Sequence, residues 1–120
     1  MFVTVSPHKA LEYFEARLEF TIGPIDLKEK AKRDKVNIID VRSEEDYRLG
    51  HIPGAINLPW KKWDTLEGLS HDKPNVVYCY SMSCLLSTRA CKKFAENDYP
   101  VMELIGGFEE WKRNKLPIEK

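Results

Sequence analysis

The chain has 120 residues, a length that fits one domain able to bury roughly two-thirds of its unfolded surface. Hydrophobic residues at 42% and charged residues at 32% exclude a disordered polar chain. Nineteen Lys and Arg balance nineteen Asp and Glu, so the basic face that a nucleic-acid binder needs is missing. No apolar run is long enough to cross a bilayer, and MFVTVSPHKALEYFE lacks the basic start and apolar core of a signal peptide. Cys79, Cys84 and Cys91 crowd into thirteen positions, which is not the distribution of a disulfide framework. Free thiols and a cytoplasmic location are expected.

In chain order, Leu11, Phe14 and Leu18 recur at helical spacing behind Ser6 as cap and Pro7 at the first helical position. Gly23-Pro24 ends that segment, and IDLKEKAKRDK reads as a second short helix with Asp26 near its start. VNIID, residues 36–40, is a short apolar strand. A polar stretch follows, then a strand over Ala55 to Leu58 between Gly54 and Pro59. WKKWDTLEGL is a helical turn or two. NVVYC, residues 75–79, is the next strand, STRACKKFAEN a helix, VMELI a last strand and FEEWKRN a closing helix. Short apolar strands alternating with helices predict an α/β domain with a mainly parallel sheet.

Such sheets bind ligands beyond the carboxyl ends of their strands, and Cys79 sits at one of these ends, in YCYSMSCLLSTR. A loop curling ahead of a helix aims backbone N–H groups at its centre, and the helix dipole adds positive potential. Both stabilise a thiolate, which is the reactive form of cysteine. The hydroxyls of Ser81, Ser83, Ser87 and Thr88 add hydrogen bonds without bulk. The opposing reading makes Cys79 a buried strand-end residue packing as a small hydrophobe, and the local sequence leaves both open. Cys91 reads as helix core. His8, His51 and His71 are scattered, and Cys79 and Cys84 stand five apart, so no zinc site is expected. His51, in LGHIPG, reads as a hydrogen-bonded loop histidine rather than a base.

IIDVRSEEDYRLGHIPGAINLP, followed by VVYCYS and LIGGFEEW, strongly resembles the rhodanese-like domain family over roughly residues 20 to 118. The resemblance implies a five-stranded, mainly parallel sheet flanked by helices on both faces, here with an extra N-terminal helix. The implied boundaries are a helical extension over 1–19 and the domain over 20–120. The resemblance also implies sulfurtransferase chemistry, with Cys79 as the catalytic thiol that carries sulfane sulfur as a persulfide to a thiol or other nucleophile. Tyr80, Ser81, Met82, Ser83, Cys84, Leu85, Leu86, Ser87 and Thr88 then form the substrate-binding active loop. Asp40 and Arg42 resemble the family's charged pair and read as scaffold, with Glu45 as a carboxylate that Arg42 can bind. Gly106-Gly107 brings the last loop close to the active loop, and Trp111 packs in the core.

The loop departs from the common pattern. It runs about two residues longer and carries no glycine and no charge from Tyr80 to Thr88, which predicts weak use of thiosulfate and preference for a persulfide. An arginine six positions after Cys79 would mark a phosphatase, but Leu85 stands there, so that chemistry is disfavoured. Cys84 is the candidate resolving thiol, set against a reading in which it packs beside Leu85 and Leu86 away from Cys79. The alternative function is a non-catalytic, regulatory interaction module. Expected partners are a small sulfur donor and a thiol or protein acceptor, without nucleic acid, membrane, metal or organic cofactor, in a monomer or weak dimer. The stripe Leu11, Phe14 and Leu18 is expected to dock on the domain or on a partner, core packing being the favoured use.

Overall fold

The computed structural model describes residues 5–120. The first four residues of the expected 1–19 extension lie outside that range. Eleven elements follow one another: α1 (Pro7–Glu19), β1 (Thr21–Ile22), α2 (Pro24–Lys32), β2 (Asn37–Asp40), α3 (Glu44–Leu49), β3 (Ile56–Asn57), a 3-10 helix (Trp60–Thr65), β4 (Asn75–Tyr78), α4 (Leu86–Glu96), β5 (Val101–Leu104) and α5 (Gly107–Arg113). The strands form one five-stranded sheet in the order β1-β5-β4-β2-β3, with every neighbouring pair parallel.

Side chains alternate across this sheet with period two and define its two faces. Ile38, Val76, Tyr78 and Leu104 join Leu27 of α2 and Phe108 and Trp111 of α5 in one apolar cluster. Ile39, Val77 and Cys79 join Trp63, Ala90 and Phe94 in the other, beneath α4 and the 3-10 helix. The helices thus cover both faces, as a parallel sheet requires. β2 and β4 are neighbours at the middle of the sheet. The helix after β2, α3, packs Tyr47 on the first face, and the helix after β4, α4, packs on the second. Chains leaving two adjacent strands for opposite faces open a crevice at their carboxyl ends. Asp40 and Cys79 stand at its two sides.

Two elements were not expected from the sequence. α3 lies in the polar stretch after Arg42, where the Ser43 side chain caps by accepting from Asp46 N at 3.1 Å and Glu44, Glu45 and Asp46 fill the first turn. β1 has two residues and exists by pairing with β5. α1 forms as expected, capped by Ser6 with Pro7 at its first position. Its stripe does not enter the core: Leu11, Phe14 and Leu18 are 59%, 56% and 82% exposed, and α1 buries no residue. The expected core packing is corrected, because α1 leaves the sheet at its edge strand and only its Tyr13–Arg17 side faces the domain.

Candidate active site

Cys79 directly follows Tyr78, the last residue of β4, and its side chain continues the face of Val77 into the core beneath α4. Residues 80–85 form the loop proper, with a turn closed by Cys84 N donating to Ser81 O at 3.2 Å. The expected active loop over 80–88 continues into α4. α4 begins at Leu86, so Leu86, Ser87 and Thr88 are its first turn.

The loop backbone is tied to α5. Phe108 N donates to Cys79 O and Glu109 N to Tyr80 O, each at 2.9 Å. The fit is close because Gly107 has φ +61°, and a Cβ there would lie 2.7 Å from Cys79 O and 2.9 Å from Ser81 N. Turning these carbonyls toward α5 turns the intervening amide inward, and Tyr80 N–H reaches the Cys84 thiol. From the other side, the first turn of α4 contributes the amides of Leu86, to Cys84, and of Ser87, to Cys79. Cys84 packs against the same apolar cluster as Cys79, and its carbonyl oxygen lies 3.6 Å from Cys79 Sγ. All three cysteines are free.

The two thiols are shifted in opposite directions. Burial raises the Cys79 thiol, which is 1% exposed, and the neighbouring Cys84 raises it further, against the opposing effect of Ser87. Cys84 is half-buried. Burial opposes its ionisation, but the neighbouring Cys79, the amides of Leu86 and Tyr80 and the charge of Arg89 outweigh this and lower it. Cys91 packs against the core beneath α4 as expected, and burial raises its thiol strongly, with the charge of Glu103 adding to the effect.

The remaining expected residues disperse. Ser81 and Ser83 pair their hydroxyls at 3.3 Å, while Met82 and Leu85 project outward at 70% and 61% exposure. The Tyr80 side chain leaves the loop to donate to Asp46 Oδ2 at 2.6 Å. Ser87 and Thr88 instead reach Glu103 of β5, whose Oε2 accepts from Ser87 Oγ at 3.0 Å and Thr88 Oγ1 at 2.8 Å. Glu103 escaped the sequence reading, although a carboxylate on the inward-facing side of VMELI was a legible break in the pattern.

Asp40 and Arg42 form a buried pair, Nη2 to Oδ2 at 2.9 Å, and Arg42 also donates to Gly50 O. Glu45 is exposed on the first turn of α3, so the expected Arg42–Glu45 contact is corrected to Arg42–Asp40. Tyr78 donates to the same Asp40 at 2.6 Å and accepts from Ile52 N, locking β2, β4 and the 50–55 turn together. His51 is buried, stacks on Tyr47 and donates through Nδ1 to Tyr47 O at 2.7 Å, a structural role as expected.

Two concavities flank the loop. One of about 650 Å³ lies on the Tyr80 side between Arg42, Lys112 and Ile118 and holds no thiol. The other, about 380 Å³, is a groove with Tyr13, Arg17 and Phe20 on one wall and Cys84, Ser87 and Glu103 on the opposite one. Among the described residues no group of His, Cys, Asp and Glu is arranged to hold a metal ion. No helix there is long and apolar enough to cross a membrane.

Fold and site together define an α/β domain with a cysteine loop at the crevice of a parallel sheet, the loop amides turned onto a thiol pair. The Rhodanese-like domain model matches residues 24–114, and the chain belongs to that family. It is 33% identical over 93 residues to the thiosulfate sulfurtransferase GlpE of Coxiella burnetii, covering 76% of this chain and 85% of that one. It is also 33% identical over 103 residues to an HTH-type transcriptional regulator of Mycobacterium tuberculosis, covering 85% of this chain and 46% of the regulator. The chain thus spans less than half of that relative's length. A crystal structure of a Bacillus halodurans protein superposes with a TM-score of 0.82 at 34% identity, over 95% of this chain and 86% of the other.

Proposed function

We propose that this protein is a sulfurtransferase in which Cys79 carries sulfane sulfur as a persulfide and passes it to a thiol or other nucleophilic acceptor. The observation that carries the reading is the Cys79 thiol at the end of β4, with Cys84 packed beside it and the amides of Tyr80, Leu86 and Ser87 turned onto the two sulfurs. As Cys79 attacks the outer sulfur of a donor R–S–SH, its proton passes to the Cys84 thiolate. The donor S–S bond breaks, and RS⁻ leaves with the electron pair and takes a proton from solvent. Cys79–S–SH remains. An acceptor thiolate then attacks the outer sulfur and departs as R′–S–SH, and Cys79 recovers its proton from Cys84. In a side reaction Cys84 gives that proton to solvent and, as the thiolate, attacks the inner sulfur, releasing HS⁻ and leaving a disulfide that a cellular thiol reopens. No step needs a metal or organic cofactor, and free thiols suit a reducing cytoplasm.

Intact-mass analysis after exposure to a low-molecular-weight persulfide tests this. Wild type is expected to gain one sulfur atom and lose it to added thiol, and Cys79→Ser to gain none. Equal gain in Cys79→Ser overturns Cys79 as the carrier. The donor preference follows from charge. The loop carries no cation of its own, and Arg89, exposed on α4, acts on it from outside, so a thiosulfate dianion meets mainly amides and hydroxyls. Turnover with a persulfide is expected to exceed turnover with thiosulfate by at least about tenfold in kcat/KM.

A second reading, a regulatory module, is favoured by the near-complete burial of Cys79 and by the similarity to part of a transcriptional regulator. An unloaded wild type in the same mass experiment selects it.

A further inference from the structure

The pleat of β5 places a carboxylate where an apolar side chain belongs. Glu103 pairs in register with Val77, on the sheet face covered by α4. Its Oε2 accepts from Ser87 Oγ at 3.0 Å and Thr88 Oγ1 at 2.8 Å, its side-chain hydrogen-bond partners among the described residues. Ser87 is 5% exposed, and its Oγ lies 3.5 Å from Cys79 Sγ.

A hydroxyl has one hydrogen and a carboxylate only accepts. With the Ser87 hydrogen directed to Glu103, a lone pair of Oγ faces Cys79. The other oxygen at the Cys79 sulfur, Cys84 O at 3.6 Å, is a carbonyl and also only accepts. So oriented, both oxygens favour Cys79 as S–H, while the Ser87 N–H favours the thiolate, as the hydroxyl also does when it turns from Glu103 toward sulfur.

We propose that Glu103, acting through Ser87, is a positioning residue that favours the protonated form of Cys79. Other ionisable groups face the same region: Arg17 from α1 across the groove, and Cys91 and Arg89 from α4. None of them is hydrogen bonded to the Glu103 carboxylate, whereas the two hydroxyls are. The consequence for catalysis rests on the sulfur-transfer reading: the nucleophile waits as a thiol beside its own base.

The test is the pH dependence of Cys79 alkylation by iodoacetamide, located by mass mapping, in a Cys84→Ser chain with Cys79 as the one loop thiol. In that background Glu103→Gln donates an amide hydrogen to Ser87 Oγ and releases the hydroxyl hydrogen toward sulfur. The alkylation midpoint is expected to fall by about one pH unit, which is about tenfold faster reaction below the midpoint. Ser87→Ala alone is also expected to lower the midpoint, because it removes an acceptor, and adding Glu103→Gln to it is expected to shift nothing further. An upward shift in Ser87→Ala overturns the proposal by making the hydroxyl a donor to the thiolate. An unchanged midpoint in Glu103→Gln overturns it, as does a full shift persisting in Ser87→Ala/Glu103→Gln, which is a plain charge effect. Melting curves establish that each variant is folded, and the Ser87→Ala result decides alone should the Gln variant not fold. Alkylation needs no sulfur donor, so its outcome and that of sulfur loading are independent.

Discussion

Asp40 is fully buried at the end of β2 and meets three demands at once: the Arg42 guanidinium, the Arg42 amide and the Tyr78 hydroxyl. Removing it leaves a buried cation facing a phenol with no acceptor. Asp40→Ala is accordingly expected to lower stability by about 3–5 kcal/mol in urea unfolding, a penalty of the stranded charge rather than the worth of the pair. The thiols act at the same scale through pH. Cys79 and Cys91 are both held above their ordinary range by burial. Above an unfolded value of about 8.5 the unfolded chain releases these protons while the folded chain keeps them, so stability falls as pH rises. Each thiol adds a slope of up to about 1.4 kcal/mol per pH unit in that window. Cys91→Ala is expected to flatten the decline of Tm between about pH 8.5 and 10.

At the scale of elements, the site exists because the start of α5 holds the loop after β4. Gly107→Ala places a methyl group 2.7 Å from Cys79 O in a left-handed backbone. The conformation alone costs about 1 kcal/mol, and the clash falls on backbone that cannot turn aside. The expected outcome is a lower Tm together with loss of the reactivity difference between Cys84 and Cys79 in alkylation mapping. Strand and helix identities over most of the chain were legible because apolar runs such as NVVY, and Pro and Gly at their ends, act locally. α3 was not, since six residues carry too little periodicity to reveal a helix. Its signal lay in the cap instead, Ser43 three positions before Asp46. β1 has no local signal at all, because two residues become a strand only when β5 lies beside them.

Over the whole molecule, α1 is an outrigger that closes a groove without stabilising the core. A chain beginning at Phe20 keeps the Phe20 carbonyl that accepts from Glu103 N, and loses no buried residue of α1. Its Tm is expected to shift by less than about 4 °C. Its KM for a bulky persulfide is expected to rise with the loss of the Tyr13 and Arg17 wall. The cysteine loop, the DVR pair and the paired glycines are contiguous motifs, and residue order alone was enough to mark the family and its candidate thiol. Which carboxylate Arg42 binds and that Glu103 reaches the first turn of α4 required the fold. These depend on residues far apart in sequence meeting across strands, and on the direction of single hydrogen atoms between them. Residue order carries composition and short-range period; it does not carry the register that sets Glu103 beside Val77 and beneath Ser87.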